Sequence, residues 1–362
     1  MKTKPTSLTL LALQRFKKNK TGVFSFLYIL FCGFIAVFCY LLSPDNTSNA
    51  NQMNLEIHSK KPGFTIQMLT IPSEEKKQSF FNFIVNGKNT QNTEIPIESY
   101  TINDKEIEVV LFSESKNTAK TRSYPLSRFD KNISQYISTK KYYFGTDKYG
   151  RDFLSRMLIG TRISYFIGFI AVFISLIIGI SIGAIAGYYE GKIDTFIMWL
   201  INITWSIPTL LLVIAITLAL GKGYWQVFIA VGLTMWVEVA RVVRGQILSA
   251  KQQQYVEAAK VLGFSDFRII FKHILPNIMA PVIVISAANF AAAILIESGL
   301  SFLGIGAQPP TPSWGAMIKD HYSYIILGKA YLAVIPGLAI MSLVLAFMLI
   351  GNALRDALDV KN

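Results

Sequence analysis

Long apolar stretches separated by short polar ones dominate this chain outside one polar block. Six stretches are long enough to cross a hydrocarbon core, which takes about 20 helical residues. They are Thr21 to Ser43, then about Ile163 to Tyr188, Thr195 to Leu220, Tyr224 to Val243, Ile278 to Leu300 and Tyr331 to Asn352. Within lipid each must be helical, because unpaired backbone groups there are strongly penalised. The polar block, Pro44 to Tyr143, reads differently. Short runs at Phe64–Ile71, Phe80 to Val85 and Ile107 to Phe112 predict strands, with Asn86-Gly87 as a turn signal between them. A small β-rich insert with disordered edges near Asn46–Asn54 is expected, either a decoration or a docking module.

Composition supports the membrane reading. Of 362 residues, 52% are hydrophobic and only 16% charged, against about 25% in soluble domains. A soluble enzyme is excluded on that balance. The net charge of +13 fits either nucleic-acid binding or basic cytoplasmic loops, and the hydrophobicity selects the loops, leaving no nucleic-acid role. Both cysteines, Cys32 and Cys39, lie in one apolar run, a poor arrangement for a mutual disulfide. His58, His273 and His321 share no metal-ligand spacing, so neither a metal nor a cofactor is expected.

Orientation follows from the basic residues. Lys2, Lys4, Arg15, Lys17, Lys18 and Lys20 lead into the first span, and Arg244, Lys251, Lys260, Arg268 and Lys272 lie between the fourth and fifth. Six spans place both stretches and the C-terminus on one side, the cytoplasm by the positive-inside bias. The expected organisation is a cytoplasmic segment 1–20, a first span 21–43, an exported insert 44–143, a five-helix core 144–352 and a cytoplasmic end 353–362. The first span exceeds the usual length of a cleavable signal core and reads as a retained anchor.

The polar loop within 251–276 carries the most information. Val256, Ala259, Leu262, Phe267, Ile270 and Phe271 recur at helical spacing, predicting a helix over about Gln253 to Leu262 that stops at Gly263. Ser265 or Asp266 then caps a second short helix ending before Pro276. The pair makes an angled elbow with a hydrophobic knuckle at Phe264 and Phe267. Ala258 and Ala259 leave room for another surface, and Glu257 can pair with a basic residue on it. On physics alone, a docking elbow and an amphipathic loop lying on headgroups are equally served.

Resemblance separates them. Glu257-Ala258-Ala259, Gly263 and Leu275-Pro276, set between two spans, resemble the EAA loop of ABC-importer permeases. Arg15-Phe16-Lys17-Lys18-Asn19-Lys20 resembles the N-terminal signature of the second permease of oligopeptide, dipeptide and nickel importers. Similar matches run through Gly145-Thr146-Asp147 to Gly150-Arg151-Asp152, Ser155-Arg156, Gly160-Thr161-Arg162, Glu297 to Gly315 and Leu354-Arg355-Asp356. They cover about 1–43 and 144–362 but not the insert. The resemblance implies an all-α polytopic membrane protein with a type I ABC-importer permease core, set in the bacterial cytoplasmic membrane. It implies a homologous permease, two ATPase subunits and an extracytoplasmic binding protein as partners. It also implies a coupling role for Tyr255, Glu257, Ala258, Ala259, Gly263, Phe264 and Pro276.

No Walker A pattern occurs, so the energy is expected to come from a separate ATPase and no catalytic residue is expected. Glu297, near the outer end of the fifth span, is a gate or bundle contact, or an acid that reaches the headgroups or accepts hydrogen bonds from the next loop. Glu238 is expected to pair with Arg241 or Arg244, one and two turns further on. Pro309 to Pro312 predicts a polyproline-like run beside an interfacial Trp314. Pro208 and Pro336 are expected to kink their helices, and Gly179, Gly183 and Gly187 to permit close packing, against the partner permease as one option. Peptides are the expected cargo. Nickel or another small ligand is the runner-up, and a stand-alone channel, a secondary transporter or an anchored sensor the more distant readings.

Overall fold

The computed structural model describes residues 8–73, 78–89, 92–113, 120–129 and 132–359; Lys2 and Lys4, counted in the N-terminal charge, lie outside them. Helix α1 (Leu8–Lys18) gives way at Asn19, whose side chain accepts from the Gly22 N–H at 2.9 Å and so caps α2 (Lys20–Leu42). The insert follows, with β1 (Phe64–Ile71), α3 (Phe80–Asn86), β2 (Thr93–Ile102), β3 (Glu106–Leu111), β4 (Thr121–Pro125) and β5 (Ile137–Tyr142). Next come α4 (Phe153–Tyr189), α5 (Gly191–Ser206), α6 (Thr209–Leu220), α7 (Tyr224–Lys251) and α8 (Gln254–Val261). The chain closes with α9 (Asp266–Arg268), α10 (Met279–Leu303), α11 (Trp314–His321) and α12 (Tyr331–Leu358).

Among the described residues five helices are long and apolar enough to cross a membrane, or six if α5 and α6 form one span. Those two meet at 91°, so the third span is broken outright instead of kinked. Pro208 offers no N–H to a continuing helix and forces Ile207 into an extended conformation (φ −91, ψ 127). Pro336, by contrast, lies inside an α12 that continues to Leu358. The second span starts ten residues before the apolar run, at Phe153, and the fourth continues to Lys251.

The chain divides into two units. One comprises the chain up to Gly33, Ser164–Gln308 and the chain from Leu338 onward. Its packing depends on the glycine ladder of α4. A Cβ at Gly179 would come within 2.5 Å of the Val239 Cβ, and one at Gly183 within 2.5 Å of the Ala240 carbonyl oxygen. The ladder therefore packs on α7 of the same chain, leaving no room there for a second permease. Ala184, Val239, Val243 and Ile247 continue this contact into a core shared with the polar loop.

The other unit comprises Phe34–Ile163 and Pro309–Gly337. Its antiparallel sheet has the order β4-β3-β2-β1-β5. Alternation along the strands builds a core on each face: Leu69, Ile97, Ile107 and Val109 on one, Ile66, Met68, Ile57 and Tyr142 on the other. The run Phe80 to Val85, read as a strand, is helical. Its apolar residues fit either period over so short a length, and Ser79 and Gly87 (φ +76) stand at its two ends. Asn86-Gly87 accordingly ends a helix and does not turn a hairpin. Residues 46–54, expected to be disordered, contain a turn of 3₁₀ helix at Ser48–Ala50. Asp45 accepts from both the N–H and the hydroxyl of Thr47.

The motif from Gly145 to Arg156 is a largely buried polar knot that leads into the first turn of α4. Asp147 is fully buried and accepts from the N–H groups of Tyr149 and Arg151 and from the Arg151 Nε at 2.6 Å. Trp314 is also buried, donating its Nε1 to the Met157 carbonyl at 3.1 Å, and is not an interfacial anchor. Pro309 to Thr311 turn about a cis Pro309–Pro310 bond where an extended polyproline run was expected.

Candidate functional site

The loop after α7 folds as an elbow. Gln253 is extended, α8 follows, and Gly263 takes a left-handed φ of +73. The Phe264 N–H donates to the Ala259 carbonyl and the Gly263 N–H to that of Lys260, the paired bonds of a Schellman terminus. A Cβ at Gly263 would meet nothing within 4 Å, so backbone conformation alone demands glycine here. Beyond Ser265 the second arm starts at Asp266 but does not end before Pro276. It loosens into a π turn over Ile269–Ile274 and a 3₁₀ turn over Leu275–Ile278, then runs into α10. Pro276 sits in the first turn of that 3₁₀ segment, where its missing N–H removes no bond.

The two arms present opposite characters inward and outward. Val256, Ala259, Ile269, Ile270 and Ile274 bury against Val243 and Ile247 of α7 and Tyr188 of α4. Ala259, expected to leave room for another protein, is 3% exposed and turned toward its own chain. The outward face carries Val261 (87% exposed), Leu262 (69%) and Phe267 (70%), with Tyr255, Glu257, Ala258 and Phe271 exposed beside them. Phe267 and Phe271 lie 4.3 Å apart. Phe264 is half-buried, with the Arg268 guanidinium 3.9 Å above its ring and His273 stacked at 5.5 Å.

Contacts that the sequence reading missed brace this elbow. The Tyr188 hydroxyl donates to Asp266 at 2.6 Å, while Lys251 donates to the Tyr188 carbonyl at 2.6 Å and to Glu190 at 2.7 Å. Glu190 (φ +54) and Gly191 (φ +57) reverse the chain between α4 and α5 so that these groups meet. Arg244 makes a two-pronged pair with Asp194 at 2.5 and 2.6 Å, and Arg241 donates to Asn202 and lies 3.7 Å over the Trp205 ring. The arginines thus bind α5, and the expected pairing with Glu238 does not form. Glu238 instead lines a cavity of about 170 Å³ with Thr204, Trp205, Thr209 and Ile296.

Glu297 is buried at 1% exposure and accepts from the Ser301 hydroxyl at 2.7 Å. That same hydroxyl accepts from the Ala307 N–H at 3.1 Å, and Gly304 turns the chain at φ +81. The acid is therefore buried on α10 and linked through the Ser301 hydroxyl to the loop that follows.

Residues 179–361 match the model of the "binding-protein-dependent transport system inner membrane component" family, and residues 7–62 match the "N-terminal TM domain of oligopeptide transport permease C". The glutathione transport system permease protein GsiD of Pectobacterium atrosepticum is 42% identical over 220 residues, 61% of this chain and 73% of that protein. The dipeptide transport system permease protein DppC of Bacillus subtilis is 42% identical over 220 residues, 61% and 69% of the two chains. GsiD of Escherichia coli is 44% identical over 221 residues, 61% and 73%. A chain of the MetNI methionine ABC transporter, solved in inward-facing conformations, aligns over 56% of this chain and 95% of that one. It is 17% identical, with a TM-score of 0.47.

The chain belongs to the binding-protein-dependent transport system inner membrane component family. It is a multi-pass inner-membrane permease of a bacterial ABC importer, a transport protein and not an enzyme.

Proposed function

We propose that this chain forms half of the translocation path of an importer for short peptides and receives the work of a separate ATPase through the elbow at 254–276. The matched relatives are named for glutathione and dipeptides, which supports a small peptide as the cargo class. Both termini and the elbow face the cytoplasm, in keeping with Arg15, Lys17, Lys18, Lys251 and Lys260. The insert is exported, a second homologous permease completes the path, and a binding protein delivers the peptide.

One observation carries the coupling role: the elbow is packed on the inside and bares apolar side chains among charged ones on the outside. Val256 and Ile269 lock its arms to α7, while Val261, Leu262 and Phe267 stay uncovered. An exposed apolar knuckle on a braced bracket suits a protein partner better than water. Displacement of the knuckle would pass directly into α7 and α10, which flank it. Tyr255, Glu257, Ala258 and Gly263 form or shape this surface, Phe264 and Pro276 hold its second arm, and Ala259 seats the first.

The test is peptide uptake by proteoliposomes holding the complete importer. Gly263→Pro forces φ negative and removes the bond to Lys260, and should abolish uptake while the subunit still inserts. Uptake at the unmodified rate would remove the assignment.

A further inference from the structure

One arginine fastens a short helix of the insert to the side of a membrane helix. Arg162 donates from Nε to the Ala36 carbonyl (2.8 Å) and from Nη2 to that of Val37 (2.9 Å), both on α2. It also donates from Nη2 to the Ile84 carbonyl (2.8 Å) and from Nη1 to that of Val85 (2.6 Å), in the last turn of α3. Those last-turn carbonyls have no partner within their own helix, so the guanidinium caps α3 while tying it down. The α2 backbone leaves helical geometry at Phe38, immediately after the two carbonyls that Arg162 uses.

The height of this contact is informative. Leu42 ends α2 six residues after Ala36, which is about 9 Å along a helix axis. A 23-residue helix is about 35 Å long, against a hydrocarbon thickness of about 30 Å. The C-terminal turn of α3 therefore lies alongside the outer part of an apolar span and not beyond its end. Phe80 and Phe81 of α3 are 69% and 76% exposed, and Val85 is also exposed. Phe34, Val37 and Leu41 of α2 are exposed in the same stretch, and α3 carries no charged residue.

We propose that α3 is an in-plane membrane anchor whose Phe80 and Phe81 rings sit among the acyl chains of the leaflet on the insert's side. Lipid is the occupant because Arg162 ties α3 to the stretch of α2 whose exposed Phe34, Val37 and Leu41 a spanning helix presents to the bilayer. Paired phenylalanines on an uncharged helix suit the boundary between headgroups and acyl chains. Arg162 is tolerated at that depth because carbonyl oxygens receive its donors and Tyr40 lies 5.1 Å from its guanidinium carbon. The anchor sets the insert's base against the membrane. This inference needs only that α2 spans the bilayer, and is independent of the peptide and ATPase assignments.

The test is collision accessibility of a nitroxide label in the complete importer, in phosphatidylcholine–phosphatidylglycerol nanodiscs. The buried native thiols are removed as Cys32→Ala and Cys39→Ala, and single labels are placed at Phe81→Cys, Phe80→Cys and Val85→Cys. Leu30→Cys on α2 serves as the lipid reference and Asp104→Cys at the β2–β3 turn as the water reference. The ratio of oxygen to nickel-chelate collisions at Phe81→Cys or Phe80→Cys should exceed the Asp104→Cys ratio several-fold and approach that of Leu30→Cys. Adding Arg162→Gln should return it toward the water value. A water-like ratio at both phenylalanine positions, or suppression of both collision rates by a covering protein, would overturn the proposal. So would a lipid-like ratio unaffected by Arg162→Gln, because the tether is then not what holds the helix.

Discussion

Tyr188, in the last turn of α4, donates its hydroxyl to Asp266, the first residue of the elbow's second arm, at 2.6 Å. Seventy-eight positions separate the two, and the bond makes the end of a membrane helix part of the elbow's support. Tyr188→Phe keeps the buried ring and removes only this tie. Asp266 is exposed and can be rehydrated, so the stability loss should be small, about 1 kcal/mol. The expected effect is on coupling: fewer peptides carried per ATP hydrolysed, read in proteoliposomes by measuring both rates.

Gly263→Ala isolates the backbone requirement. With nothing within 4 Å of the new methyl group, the whole penalty is the left-handed conformation, about 1–2 kcal/mol. Gly263→Asn should recover part of both stability and uptake, since asparagine tolerates that region. Equal loss with both substitutions would point to a steric clash with a partner and not to backbone strain.

Gly183→Leu tests the α4–α7 seam. Even its Cβ would come within 2.5 Å of the Ala240 carbonyl oxygen, and backbone cannot swing aside as a side chain can. A loss of at least about 1–3 kcal/mol is expected. Gly245, on α7 itself, faces open space, and Gly245→Ala should be neutral or slightly stabilising. Thermal unfolding of the two variants in the same detergent checks the contrast.

His321 gives the unit that holds the β-sheet an acid-sensitive point. Burial of the ring holds its pKa below the usual 6.5. The geometry fits a neutral tautomer that donates from Nδ1 to the Met317 carbonyl at 2.7 Å and accepts the Lys148 N–H at Nε2. Because the folded pKa is depressed, the stabilisation is complete above pH 6.5. It declines as the pH falls from there through the folded value, since the unfolded chain takes up the proton first. His321→Phe should flatten the acid side of a plot of melting temperature against pH, at the cost of the two hydrogen bonds. An unchanged acid slope would show that another group controls it.

The spans were legible because 20 apolar residues in sequence admit almost no other reading, and β1 because Phe64 to Met68 alternate apolar with polar before Leu69 breaks the pattern. The Gly263 stop was legible for a local reason, a glycine following a helical period. Length defeated the reading of α3, since five apolar residues around Asn82 in a run of six fit a helix or a strand equally well. Pro208 announced a disturbance but not a right angle. The braces among Tyr188, Glu190, Lys251 and Asp266 join residues that only the folded chain brings together. The inward turn of Ala259 was available from its spacing to Val256, three residues earlier on the same helix face.

The most direct test of the coupling elbow is chemical capture. Leu262→Cys, or Phe267→Cys on the second arm, should crosslink through a short bismaleimide to an ATPase subunit in the assembled importer. Ala259→Cys, being buried, should not. Capture at both exposed positions, with loss of uptake once crosslinked, is the predicted result. An assembled importer that hydrolyses ATP and moves peptide, yet yields no ATPase adduct at either exposed position, would contradict the account.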